Sequence, residues 1–369
     1  MQCLKNPLFR LYSPILAALL GSSILLFALA ACGGNPVNVG CTGVIPPQPS
    51  LHVVNGVAYF GDGNAVYALR ASDGTQLWHF TIDGNTSLSV VDNGIIYIGS
   101  ASSLYALQAS NGQQLWRFQG NGDPDSTFGP QPVVADGVVY ITSRVSTYAV
   151  RASDGKQLWH SPVGGLDTPL ASPLAVGNGM VYIGTGDAVV ALRASDGKQL
   201  WSYQGRASVS TDGEGTVYVN SQNSLYALRA ADSAQLWHFQ SNVAATSQFD
   251  TQPLIVNGVV YVNAGSVTYA LRARDGTSLW KTQTEVPDGT ILEAEQGIIY
   301  VSSNGTVAAL QASNGALLWN VNVAYSEPRV VVNGIIFSSQ AFGGCSGPIG
   351  AEIFATRANH GKALWSFQI

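Results

Sequence analysis

Ala68-Leu69-Arg70-Ala71-Ser72-Asp73-Gly74-Thr75-Gln76-Leu77-Trp78 decides the fold, because the chain writes this phrase eight times. All eight tryptophans end a copy of it: Trp78, Trp116, Trp159, Trp201, Trp237, Trp280, Trp319 and Trp365, at spacings of 36 to 46 residues. An alanine stands ten residues before each, from Ala68 to Ala355. A glycine stands four residues before each, except in the fifth copy, which has Ser233. No tryptophan is left for another task. Self-similarity at a period of about 40 residues is the mark of a stacked or ring-shaped repeat fold.

Working outward from the phrase, each copy reads as four short strands. In the first, Leu51–Val54 forms strand A, Asn55-Gly56 a two-residue turn, and Val57–Gly61 strand B. Ala65–Ala71 forms strand C, Asp73-Gly74 turns the chain again, and Thr75–Thr81 forms strand D with its tryptophan. Asn-Gly and Asp-Gly pairs tolerate the positive φ that such hairpins require. The A–B turn glycine recurs at Gly94, Gly137, Gly179, Gly215, Gly258, Gly297 and Gly334, with an aromatic residue three positions on, from Tyr97 to Phe337. Nothing after residue 50 sustains a helical period. The fold class is therefore all-β: an eight-bladed β-propeller of four-stranded antiparallel blades. A single such sheet cannot bury both faces, whereas sheets packed around an axis can. A buried Trp removes on the order of 200 Å² from water, an upper bound of several kcal/mol per blade at about 25 cal/mol/Å². An open β-solenoid is the alternative, although its rungs are shorter and lack these hairpins.

The chain has 369 residues, 46% hydrophobic and only 11% charged, with a net charge of −5. That composition builds a sizeable core. The charge argues mildly against nucleic-acid binding, which needs a basic face, and no Lys/Arg cluster occurs. At the N-terminus, Lys5 and Arg10 precede a mostly apolar stretch from Ile15 to Ala31, the pattern of an export signal. The stretch ends Leu29-Ala30-Ala31-Cys32 and resembles a bacterial lipobox, which implies cleavage before Cys32 and its acylation. The alternative is an uncleaved anchor at the short limit for a membrane span. Either way the remainder lies outside the cytoplasm. The domain reading is residues 1–31 as lipoprotein signal peptide, 32–49 as flexible linker and 50–369 as propeller. With Cys3 in the signal and Cys32 acylated, Cys41 and Cys345 remain as a pair in an oxidising compartment. They read either as a disulfide tying the linker to the last repeat or as two free thiols.

The phrase resembles the tryptophan-docking repeat of pyrroloquinoline-quinone-type propellers, which carry Ala at position one, Asp at three, Thr-Gly at six and seven and Trp at eleven. The resemblance covers residues 50 to 369. Two positions depart from it. The third is Arg in six copies (Arg70, Arg151, Arg193, Arg229, Arg272, Arg357) and Gln at Gln108 and Gln311, and the sixth is mostly Asp or Asn. Each Arg beside a turn Asp such as Asp73 reads as a local ion pair with a structural role.

The resemblance extends to quinone-dependent alcohol and glucose dehydrogenases, which implies a quinone and a calcium held by Glu, Asn and Asp, with an Asp as base. This chain has no Cys-Cys pair, and His79, His160 and His238 each follow the repeat Trp as surface residues. No catalytic residue, metal ligand set or cofactor is therefore assigned; pyrroloquinoline quinone and calcium stay possible but unsupported. Five turn carboxylates, Asp73, Asp154, Asp196, Asp232 and Asp275, belong to the repeat. The unique ones, Asp123, Asp125, Asp167, Asp250, Glu285 and Asp288, fall in D–A connections. In a propeller the D–A and B–C loops share one face, and function usually lives on such loops. These six are the candidate binding-face residues. The eighth copy adds an enlarged B–C loop, Ser338–Gly350, that holds Cys345. Asp123-x-Asp125 is also open to calcium, or is simply a solvated loop.

Size, lipobox and repeat number resemble the propeller lipoprotein of the bacterial outer-membrane β-barrel assembly machinery. That resemblance implies a noncatalytic scaffold or assembly factor that acts as a monomer, is held to a membrane by its lipid and binds a protein through its face loops. The competing readings are a quinone-dependent dehydrogenase and a cell-surface ligand or carbohydrate sensor.

Overall fold

The computed structural model divides the chain into two units, Met1–Val44 and Ile45–Ile369. It describes residues 50–368 apart from 85, 101–102, 121–127, 130, 144–145, 163–173, 186–187, 206–207, 222, 243–251, 285, 287–288, 304, 324–326 and 343–349. The signal, the linker, Cys32, Cys41 and Cys345 lie outside the described residues.

The chain folds into 32 strands, β1 to β32 in chain order, in eight antiparallel sheets of four consecutive strands. The first blade is β1 (Ser50–Val54), β2 (Val57–Asp62), β3 (Ala65–Arg70) and β4 (Gln76–Thr81). The innermost strands of the next seven are β5 (Thr86–Asp92), β9 (Val133–Ala135), β13 (Ala175–Gly177), β17 (Ser208–Thr211), β21 (Leu254–Val256), β25 (Thr290–Glu295) and β29 (Glu327–Val332). Each touches the next in order, and β29 touches β1, so the ring closes. The fold is the eight-bladed propeller.

The turns explain the hairpins. Asn55 stands at φ +50° and Gly56 at +76°, the paired left-handed residues of a tight hairpin. Asn, Asp or Gln fills the first position at Asn93, Asp136, Asn178, Asn257, Gln296 and Asn333. Short polar side chains enter this region at least cost.

The C–D hairpins carry a feature the sequence pattern hides. In blade one Ala68 pairs with Trp78, but Leu69 pairs with Gln76, so Leu77 is left out of the ladder. The same slip recurs in all eight blades. The extruded residue is always the leucine before the Trp: Leu77, Leu115, Leu158, Leu200, Leu236, Leu279, Leu318 or Leu364. These leucines are 36% to 48% exposed. A bulge bends and twists its strand and re-aims side chains. Here it accompanies a Trp directed at the following blade.

The core lies between blades. Tyr59, Val66, Ala68 and Trp78 of blade one pack with Ile96, Ile98, Tyr105 and Leu107 of blade two. The indole N–H donates to a turn carbonyl of the next blade: Trp78 to Ala109 at 2.9 Å, Trp116 to Ala152 at 2.8 Å, Trp159 to Ala194 at 2.7 Å, Trp201 to Ala230 at 2.7 Å, Trp237 to Ala273 at 2.8 Å and Trp280 to Ala312 at 2.8 Å. Trp365 closes the circle onto Ala71 at 2.9 Å. Each indole also meets the strand B aromatic of its own blade, as Tyr59 meets Trp78 at 5.9 Å between centroids.

Two stretches depart from the simple repeat. Residues Ser338–Gly350 read as an enlarged loop in sequence, yet β30 runs Ile335–Phe342 and β31 runs Gly350–Arg357. The pairs Gln340↔Glu352 and Ala341↔Ala351 extend the hairpin, leaving 343–349 between the strands. In the fifth copy Ser233 holds φ +59° where the other copies place glycine. A residue with a Cβ is strained there by about 1–2 kcal/mol, and glycine loses more backbone entropy on folding. Ser233→Gly is therefore expected to raise stability by about 0.5–1 kcal/mol. A urea midpoint that falls instead would show that the serine is locally favoured.

Candidate functional site

The alternation of strands gives the propeller two unlike faces. Tight A–B and C–D turns occupy one; D–A connections and B–C ends occupy the other. Asp123, Asp125, Asp167, Asp250, Glu285 and Asp288 all lie outside the described residues. The strands that flank their segments place those segments in D–A connections: 121–127 precedes β9, 163–173 precedes β13, 243–251 precedes β21, and residues 285 and 288 precede β25.

What is described of the loop face is polar and well tied. Arg117 pairs with Asp83 at 2.9 Å, bonds Ser103 Oγ through two nitrogens and lies 5.2 Å from the Tyr105 ring centroid. Ser100 Oγ donates to the Asp83 carbonyl. Between blades five and six, Ser210 Oγ donates to the Pro253 carbonyl at 2.7 Å and Gln252 Nε2 to the Val209 carbonyl at 2.6 Å. In blade six Thr268 Oγ1 donates to buried Asn263 Oδ1 at 2.6 Å. These bonds hold the ends of the connections.

The turn face is ringed by ion pairs. Arg70–Asp73, Arg151–Asp154, Arg193–Asp196, Arg229–Asp232 and Arg272–Asp275 stand at 2.9 to 3.2 Å. Backbone and hydroxyl bonds from Thr75, then the Arg70 guanidinium, hold Asp73 down at about 2. The histidines after the repeat Trp serve local packing: His79, His160 and His238 stack on Tyr67, Tyr148 and Tyr226.

Grooves open on this face where blades meet. The one between blades five and six, about 680 Å³, is lined by Asp212, Glu214, Tyr218, Arg272 and Arg274. Burial alone would raise Asp212, but N–H bonds from Thr216, Glu214 and Gly215 hold it below the usual carboxylate range. Burial and the Asp212 charge push the Tyr218 hydroxyl up to about 12, and the same causes take Tyr182 to about 12. A second groove, about 420 Å³, lies between blades seven and eight. Burial, then Glu295, raises Glu293 in blade seven. Sequence reasoning missed both grooves, although Glu214, Arg274 and His360 each break the repeat and signal them.

Among the described residues no three His, Cys, Asp or Glu side chains converge to hold a metal ion.

The sequence pattern of the family described as outer membrane protein assembly factor BamB matches the chain over residues 40–168, 143–290 and 214–337. No curated protein sequence matches it. The fold is similar to the computationally designed Ika8 protein, with a TM-score of 0.68 at 14% identity over 80% of this chain and 94% of that one. It is similar to BamB from Moraxella catarrhalis, with a TM-score of 0.60 at 14% identity over 79% and 93%. It is also similar to the quinohemoprotein alcohol dehydrogenase ADHIIG from Pseudomonas putida HK5, with a TM-score of 0.61 at 16% identity over 85% and 70%. At these identities the structural likeness is one of fold.

Proposed function

Because the chain belongs to the family described as outer membrane protein assembly factor BamB, we propose that it is a noncatalytic, extracytoplasmic propeller that binds another protein and acts as an assembly scaffold at the cell envelope. The observation that carries this reading is the extent of the family pattern, residues 40–337, which runs from before the first strand into the eighth blade. The use of the repeat residues agrees with it. Seven of the eight tryptophans bond the next blade and the turn carboxylates pair with arginines of their own turns, so recognition falls to the D–A connections with Asp123, Asp125, Asp167, Asp250, Glu285 and Asp288. Acidic loops on one rigid face suit a partner surface that carries Lys and Arg, with charge setting approach and register more than affinity. On this reading Cys32 carries the lipid that keeps the monomer at the membrane, and Cys41 and Cys345 form the disulfide that fastens the linker.

A second reading, a quinone-dependent dehydrogenase, draws on the fold likeness to ADHIIG. One experiment separates the two. The full-length protein is cross-linked in its native membrane, and the partner is tested against a variant with Asp123, Asp125 and Asp250 replaced by asparagine. A stoichiometric partner lost in the variant is the expected result. Dye-linked oxidation of an alcohol or sugar after addition of quinone and calcium, without such a partner, overturns the scaffold reading.

A further inference from the structure

The joint between blades seven and eight breaks the pattern of the other seven. Trp319 makes no indole N–H bond to Ala358 among the described residues, whereas its seven equivalents each bond the next blade. The turn glycine confirms the difference. A Cβ at Gly315 would strike the Trp280 ring at 2.5 Å, but one at Gly361 would strike Val321 Cγ2 at 2.5 Å and no indole. Arg357 differs as well. His360 stands where five copies have Asp, and its Nδ1 accepts the Lys362 N–H at 3.3 Å in place of a carboxylate. The turn is kept but the charge is lost, so Arg357 has no carboxylate partner among the described residues.

These departures meet in one place. The groove of about 420 Å³ is lined by Trp319, Tyr300, Arg357, Ala358, Asn333 and Glu295. Glu295 accepts the Asn333 N–H at 3.1 Å and keeps lone pairs for further donors. We infer that this joint binds an acidic monosaccharide unit, such as a uronate. The volume is that of a small-molecule pocket. The unpaired guanidinium matches a carboxylate, which it grips through two parallel bonds. The indole offers a flat apolar face and one N–H donor. Glu295 and the Ala358 carbonyl are acceptors, and sugar hydroxyls supply the donors they need. An Asp or Glu side chain of a protein would satisfy Arg357 but bring no hydroxyl donors for Glu295 and the Ala358 carbonyl. A neutral sugar would leave Arg357 unpaired. The groove between blades five and six is the internal contrast: there Arg272 is held by Asp275 and Trp237 is docked on Ala273.

This inference stands apart from the scaffold reading, since it concerns the turn face and not the loops. The test is calorimetric titration of the full chain with glucuronate, glucose and poly-glutamate. Glucuronate should bind saturably and at least about tenfold more tightly than glucose, as a charge-assisted bond implies. Arg357→Gln should lose about tenfold or more, Arg272→Gln should lose nothing, and Trp319→Phe should weaken binding with its melting temperature unchanged. Absence of saturation, equal losses from Arg357→Gln and Arg272→Gln, or poly-glutamate binding as tightly as glucuronate would each overturn it.

Discussion

Trp365→Ala is expected to destabilise the propeller by about 3 kcal/mol, the low end of the loss for truncating a large core aromatic residue, because its ring is half-buried. Trp365 belongs to the last blade, yet its indole N–H reaches the Ala71 carbonyl of the first at 2.9 Å. Its ring lies against Gly74, where a Cβ would come within 2.7 Å of Cε3. It also meets Phe337 at 6.0 Å between centroids. These contacts belong to the seam where Phe60, Leu69, Phe337 and Ile353 form a shared core. The chain does not thread a strand across this seam, since β29 to β32 (Ala363–Gln368) form the last sheet alone. Among the described residues the ring is therefore shut by side chains and by one indole bond. Removing the ring leaves a void and an unpaired carbonyl together, and both penalties fall on the one joint where the two ends of the chain meet. Trp319→Ala gives the comparison, because Trp319 has no bond to the following blade to lose; its cost should be smaller by about 1 kcal/mol, the worth of one hydrogen bond. Equal shifts of the urea midpoint for the two variants would show that docking geometry does not govern blade joining.

The period that exposes the fold does so because Trp, Ala and Gly answer to one geometric demand. A bulky ring must fill the gap to the next sheet, a small residue must face it, and the turn beneath must lack a Cβ. Such demands survive as residue identities and can be read directly. Extrusion of Leu77 and its equivalents could not be read that way. Gln76-Leu77-Trp78 looks like ordinary strand, and only the pairing of Ala68 with Trp78 and Leu69 with Gln76 reveals the bulge. Likewise Ser338–Phe342 reads as part of an enlarged B–C loop in the sequence, whereas cross-strand pairing with Gly350–Phe354 makes it strand. The Arg–Asp ring was legible because both partners lie three residues apart within one turn. The joint at Trp319 was half legible: His360 in place of Asp is plain in the sequence, but the missing indole bond depends on how two blades tilt. The loop carboxylates from Asp123 to Asp288 are legible only as departures from the repeat, and their positions lie outside the described residues.

Gly112→Ala should cost about 3 kcal/mol, while Gly94→Ala should cost only about 1–2 kcal/mol. Both glycines stand at left-handed φ, +72° and +76°, so both substitutions carry the same backbone strain. Their surroundings differ. A Cβ at Gly94 meets nothing within 4 Å, whereas one at Gly112 would lie 2.6 Å from Trp78 Cε3 and 2.8 Å from Cδ2. The indole must then move, and with it the bond from Trp78 Nε1 to Ala109. Blade five shows how such a conflict is absorbed when neighbours have adapted: Ser233 sits at φ +59° rather than the +67° to +74° of the turn glycines, and Trp201 still bonds Ala230 at 2.7 Å. At Gly112 the turn has no such adjustment, so the ring is displaced towards solvent. The difference between the two alanine variants thus isolates the docking term from the strain term. Urea unfolding measures the cost, and a red shift of indole emission in Gly112→Ala alone identifies its source. Equal midpoints with unshifted emission would mean that left-handed backbone, and not the tryptophan, is what these glycines serve.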